Sequence, residues 1–101
     1  MDEINFRNWL IENKKTKKVV SDIISRLRRV EIEVNNCDID EQYQKDKCKY
    51  LLSLFKKMGK NDNLKKYNDI NLPVGRYYMS TYSYAIKLYI KFIEDFNAKE
   101  K

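Results

Sequence analysis

The stretch Gly75–Phe92, "GRYYMSTYSYAIKLYIKF", holds five of the chain's eight tyrosines. At about 100° per residue, Tyr78, Tyr82, Ala85, Ile86, Tyr89, Ile93 and Phe96 fall within one stripe of a helix over about 77–96. Such a stripe is the buried side of an amphipathic helix. The phenol hydroxyls on it must then reach the domain's edge or a backbone partner. Tyr77 and Tyr84 point the other way and share the outer face with Arg76, Ser80, Lys87 and Lys91. Tyrosine interleaved with cations suits a surface that tracks phosphates and stacks bases. The same residues also suit a plain solvated face.

Apolar spacing outward from this helix predicts three more. Residues 16–35 repeat Val20, Ile23, Ile24, Leu27, Val30 and Val34 at helical intervals, with Thr16 placed as the N-cap. An N-terminal helix over 2–13 buries Phe6, Trp9 and Leu10, with Asp2 and Glu3 in its first turn and Ile4 and Ile11 flanking. Trp9 reads as a core plug. A third helix over 46–58 carries the stripe Cys48, Leu51, Leu52 and Phe55, with Lys56 and Lys57 in its last turn and Gly59 as its stop. Asp46 is one candidate for its N-cap. Residues 36–46 admit two other readings: a short helical turn anchored by Ile39 and Tyr43, or a third helix starting as early as Asp40. Between 60 and 75 the sequence "KNDNLKKYNDINLPVG" reads as a long polar loop, or one holding a short helical turn.

The fold expected is therefore all-α: one compact bundle of four main helices within a single 101-residue domain. Only two glycines and one proline occur, too few for the many tight turns of an all-β sandwich. No apolar run is long enough to span a membrane, and the start "MDEINFRNWL" is acidic where a secretory leader is basic. These features predict a cytoplasmic protein with no membrane partner. Cys37 and Cys48 are the only cysteines and histidine is absent, which argues against a structural metal site and leaves the thiols free, Cys48 as a small buried group. Without histidine, a phosphate-cradling glycine loop or a nucleophile elbow, no enzyme, cofactor or small-molecule substrate is expected.

Charge is unevenly placed. The net charge is +6, yet residues 14–29 carry +6, residues 30–46 carry −5 and residues 47–66 carry +6. Two basic blocks flank an acidic one. The candidate phosphate contacts are Lys14, Lys15 and Lys18 at the start of the second helix, Ser25 and Arg29 further along it, and Arg76, Tyr77, Tyr84, Lys87 and Lys91 on the last helix. The alternative contact set is the acidic Glu31, Glu33, Asp38, Asp40 and Glu41, which could engage a basic groove on another protein.

Two segments resemble a known family. "TKKVVSDIISRLRRVE" (Thr16–Glu31) is similar to the Thr-led helix of the core-binding domain of phage-integrase-type tyrosine recombinases. "STYSYAIKLYIKFI" (Ser80–Ile93) is similar to that domain's aromatic-rich closing helix, and the "F-x-x-W-L" start and Leu-rich third helix follow the same order. The resemblance implies a SAM-like bundle that contacts DNA, DNA being preferred to RNA as partner. It does not imply strand cleavage: that chemistry needs a histidine, so none of the tyrosines is carried over as a nucleophile. The expectation is a non-catalytic nucleic-acid-binding module of low sequence specificity. The rival is a small phage or mobile-element protein that inhibits or regulates a nucleic-acid-processing enzyme, of the anti-CRISPR or anti-restriction type. Whether the chain is a whole protein or one domain of a longer one stays open.

Overall fold

Thr16 has extended backbone angles, and its hydroxyl accepts a hydrogen bond from the Val19 amide at 3.3 Å. That cap opens the helix with the strongest amphipathic pattern. The computed structural model describes residues 1–34, 36–55 and 76–99, with side chains in the last helix from Ser80 to Ala98. In chain order the helices are α1 (Glu3–Glu12), α2 (Lys17–Glu33), α3 (Ile39–Asp46), α4 (Lys49–Ser53) and α5 (Arg76–Lys99). The fold is all-α, and no strand occurs among the described residues. Its radius of gyration, 13.5 Å, is near the roughly 13 Å of a compact chain this long.

Helices α1 and α2 form as their spacing predicts. Asp2 caps α1 rather than sitting inside it, its carboxylate accepting from the Asn5 amide. Phe6, Trp9 and Leu10 are buried, whereas Ile4 and Ile11 remain exposed. Trp9 fills the core, and its indole N–H donates to the Asp95 carboxylate at 3.1 Å, so the polar edge of the ring is satisfied. On α2 all six predicted positions, Val20 to Val34, are buried. This face packs chiefly on α5 and also on α1.

Of the third expected helix, 46–58, the described part is the short α4, and the alternative of a short helical segment anchored by Ile39 and Tyr43 forms as the separate α3. Asp38 caps α3, which ends at Asp46, and α4 starts at Lys49. Between them Lys47 and Cys48 both take left-handed backbone angles, with φ of 58° and 64°. For non-glycine residues this costs about 1–2 kcal/mol each. The geometry of burial explains why the cost is borne. On a continuous helix Ile39 and Cys48 would lie about 180° apart. With the break, both are fully buried, and the Cys48 thiol sits 3.8 Å from the Ile39 carbonyl. Asp46 still serves the start of α4: one of its oxygens accepts from the Tyr50 amide at 3.0 Å. Its other oxygen is buried without a hydrogen-bond partner. The expected end of the third helix (Lys56, Lys57, Met58 and Gly59) and the polar loop 60–75 lie outside the described residues.

The buried line of α5 is also broader than the sequence stripe. Tyr82, Ala85, Ile86 and Tyr89 are buried as expected, and Ile93 is half-buried. Phe92, outside the expected stripe, is only 3% exposed, and Phe96, inside it, is 39% exposed. The cause is that α5 is covered from more than one side. Phe92 packs at 5.4 Å from Phe6 and 6.0 Å from Trp9 of α1. Tyr82 instead stacks on Phe55 at 5.7 Å. The expected burial of Tyr78 concerns a side chain outside those described.

This register makes a direct prediction. Phe92→Ala should cost about 3–5 kcal/mol, as for other buried phenylalanines, and Phe96→Ala clearly less than that. Urea melts of the two variants check it; equal losses would refute the placement of Phe92.

Candidate functional site

The two candidate contact sets are built from different ends of the helices. Lys14 takes a left-handed conformation, φ 64°, at the close of the α1–α2 connection, and the Lys15 amide donates to the Leu10 carbonyl. This turn delivers the Lys15 side chain to α5. Its ammonium lies 3.2 Å from the Tyr84 hydroxyl and 6.0 Å from the centre of the Tyr84 ring. Residues 69 apart in sequence thus meet at one point. Tyr84 is 46% exposed, and Ser80, Lys87 and Lys91 are exposed on the same side of α5, opposite its buried line.

The cations of α2 are arranged differently. Lys18, Ser25 and Arg29 are exposed and share a stripe on the side of α2 opposite Val20, Ile24 and Leu27. They span about 16 Å of helix. That stripe looks outward from the side of α2 that faces away from the core, while Lys14 and Lys15 mark the corner where α2 begins and Tyr84 is reached. Arg28 is drawn off to α1, where it pairs with Glu3. Of the second basic block, Lys47 and Lys49 are exposed at the α3–α4 break, and residues 56–66 lie outside the described set. So do the side chains of Arg76 and Tyr77; both residues are placed on α5 by its backbone alone.

The acidic candidates keep partial exposure, 46% for the Asp38 side chain and 40% for that of Asp40, and Glu41 is exposed. Three of them gather around the α-ammonium of Met1. Its nitrogen lies 2.8 Å from Asp38, 3.2 Å from Glu31 and 3.3 Å from Asp40. The same Glu31 oxygen accepts the Ile39 amide at 3.1 Å. Asp40 also accepts the Tyr89 hydroxyl at 2.6 Å, and that hydroxyl in turn accepts the Asp2 amide at 2.6 Å. Glu33 is half-buried on the last turn of α2, and Glu41 is exposed on the first turn of α3. Sequence reasoning missed this cage. Met1 carries no side-chain signal for it, and the expected backbone partner of a core tyrosine left the partner's identity open.

Electrostatics follows the geometry. Burial opposes a charge on the Met1 amine, but Asp38, Glu31 and Asp40 together win and hold its pKa up, at about 10. The hydrogen bond from that ammonium holds the Asp38 carboxyl below its usual range. Burial, then the bond to Asp40, pushes the Tyr89 hydroxyl up. Burial also raises the thiols of Cys37, to about 11, and Cys48, to about 12, with Glu31 and Asp46 as the next contributors. Both thiols are free and stay protonated at neutral pH, a poor state for nucleophilic chemistry.

Comparison with family models, curated proteins and solved structures returns no match to this chain, and so none that identifies a core-binding domain. Among the described residues no helix is long and apolar enough to cross a membrane.

The cage predicts a pH dependence. Because Asp38 titrates lower when folded than when unfolded, its contribution is present above about pH 4 and is lost as pH falls through its folded value. Asp38→Asn should therefore destabilise by about 0.5–1 kcal/mol at pH 7, a range kept small because the carboxylate is partly solvated. The gap to the parent chain should narrow below about pH 3, where both carry a neutral group. Thermal melts across pH 2–7 measure it; a gap independent of pH would contradict the assignment.

Proposed function

We propose that this protein is a non-catalytic helical module that binds nucleic acid, DNA in preference to RNA, through lysine and arginine contacts to phosphates, with low sequence specificity, in the cytoplasm. The observation that carries this reading is the meeting of Lys15 with Tyr84. It sets a half-exposed aromatic ring against a cation from a separate part of the chain, on the α5 face that also carries Lys87 and Lys91. A cationic surface with an aromatic platform is the kind of face that follows a phosphate backbone. The open amides at the start of α2 add a partial positive charge at the same corner. No recognition helix with an evident base-reading set stands out in the sequence, which is why low specificity is proposed. Kinship with integrase core-binding domains belongs to the same proposal and would account for the helix order.

The rival reading, inhibition of a nucleic-acid-processing enzyme through the acidic segment, has less to work with. Glu31, Asp38 and Asp40 are already engaged by Met1 and Tyr89. A partner would have to compete with those bonds.

Fluorescence anisotropy with labelled duplex and single-stranded DNA over a salt series tests the proposal. Binding should weaken steeply between about 50 and 200 mM salt, by a factor of about ten or more. The double variant Lys87→Glu, Lys91→Glu should weaken it further and flatten the salt slope. An absence of binding to either DNA at low salt would overturn the proposal, and retention of a partner protein from lysate would then favour the rival.

A further inference from the structure

Helix α1 has two apolar sides. Phe6, Trp9 and Leu10 face the core, yet Ile4 is 75% exposed and Ile11 51% exposed. Asn8 is exposed between them. At about 100° per residue, Ile4, Asn8 and Ile11 lie in one line on the side of α1 opposite Phe6. Their spacing is that of a heptad seam: Ile4 and Ile11 fall at d and Asn8 at a. In the same frame Arg7 stands at g, and Asn5 and Glu12 at e. The buried Phe6, Trp9 and Leu10 take f, b and c, the positions that a coiled-coil seam leaves on its far side. One helix thus presents a face to its own core and a second seam to solvent.

The charges beside the seam decide what fits it. Its flanks carry one cation, Arg7, and one anion, Glu12. Such a neutral, half-apolar line is a poor face for phosphates, but it is complementary to itself. On parallel helices a g side chain meets the e side chain of the next heptad across the pair. Arg7 of each copy then meets Glu12 of the other. An antiparallel pair sets g against g and e against e, which places like charges together and repels. The seam's Asn5, Asn8 and Glu12 also share a groove with Trp9, Phe92 and Phe96. Arg7 of a second copy would therefore reach a carboxylate beside the half-exposed Phe96 ring.

We propose that the Ile4–Asn8–Ile11 seam of α1 is a homodimerisation surface, on which a second copy of this chain packs its own α1 in parallel, with Arg7–Glu12 pairs on both flanks. Asn8 of the two copies meet on the seam and set its register and two-stranded state, at a cost in affinity. The dimer is weak, because a contact about 15 Å long buries less than the roughly 800 Å² per partner of a standard interface. The domain already holds α1 helical, so pairing need not nucleate the helix. The inference stands apart from nucleic-acid binding and holds or falls without it.

Sedimentation equilibrium at low ionic strength, from about 10 µM to about 1 mM chain, tests it. The mean mass should rise from that of one 12.3 kDa chain towards twice that value. A chain that stays monomeric to the top of the range overturns the proposal. Ile11→Asp should weaken association by about tenfold or more. Its thermal melt should stay near the parent's, since Ile11 is exposed. Arg7→Glu and Glu12→Arg should each weaken association by about tenfold, and the double variant should recover the parent's affinity to within about threefold. That recovery can come only from a folded chain. Association that persists in Ile11→Asp, that ignores both single reversals, or that the double variant fails to recover would overturn the parallel seam.

Discussion

The hydroxyl of Tyr89 is the single point through which most of this fold communicates. Its ring lies in the core, 4.9 Å from Phe6 in an edge-to-face contact and 5.4 Å from Phe92. Its oxygen receives the Asp2 amide, which belongs to the cap of α1, and gives its proton to Asp40 at the start of α3. Asp40 then faces the Met1 ammonium. One phenol thereby connects α1, α3 and α5 with both an apolar body and a polar tip. A phenylalanine would keep the body and leave the part-buried Asp2 amide without its acceptor, while Asp40 would keep only the Met1 ammonium.

Much of the architecture was legible because it follows from periodicity. Thr16 and the six buried positions of α2 repeat at helical spacing, and Phe6, Trp9 and Leu10 do the same on α1. A short helical segment at Ile39–Tyr43 ahead of a further helix was among the readings, but the exact form of its junction and one burial were not legible, for definite reasons. The α3–α4 break occurs at Lys47 and Cys48, where no glycine or proline announces it; it is imposed by the need to bury Ile39 and Cys48 together. The burial of Phe92 depends on α1 lying against α5, and a wheel drawn for one helix carries no information about its second neighbour.

The site shows the same division. The outward face of Tyr84, Lys87 and Lys91 could be read from α5 alone, and the structure leaves these residues exposed. Its contact with Lys15 could not, since it depends on a left-handed turn at Lys14 and on packing between distant segments. The acidic block illustrates a different limit. A run of negative side chains reads as a surface, but Glu31, Asp38 and Asp40 meet a cation supplied by the backbone terminus of Met1. Charge counting sees side chains and not this amine. Three acids of the block thus gather on one amine while remaining at least partly exposed.

The dependence of the fold on this hub is open to a direct measurement, native-state hydrogen exchange of single amides at neutral pH. The second amide of a chain ordinarily exchanges freely because termini fray. If Tyr89 and Glu31 hold the cage together, the amides of Asp2 and Ile39 will be protected to nearly the level of Ile24 and Leu27 in the middle of α2. Free exchange at Asp2 and Ile39, with α2 still protected, would contradict the account.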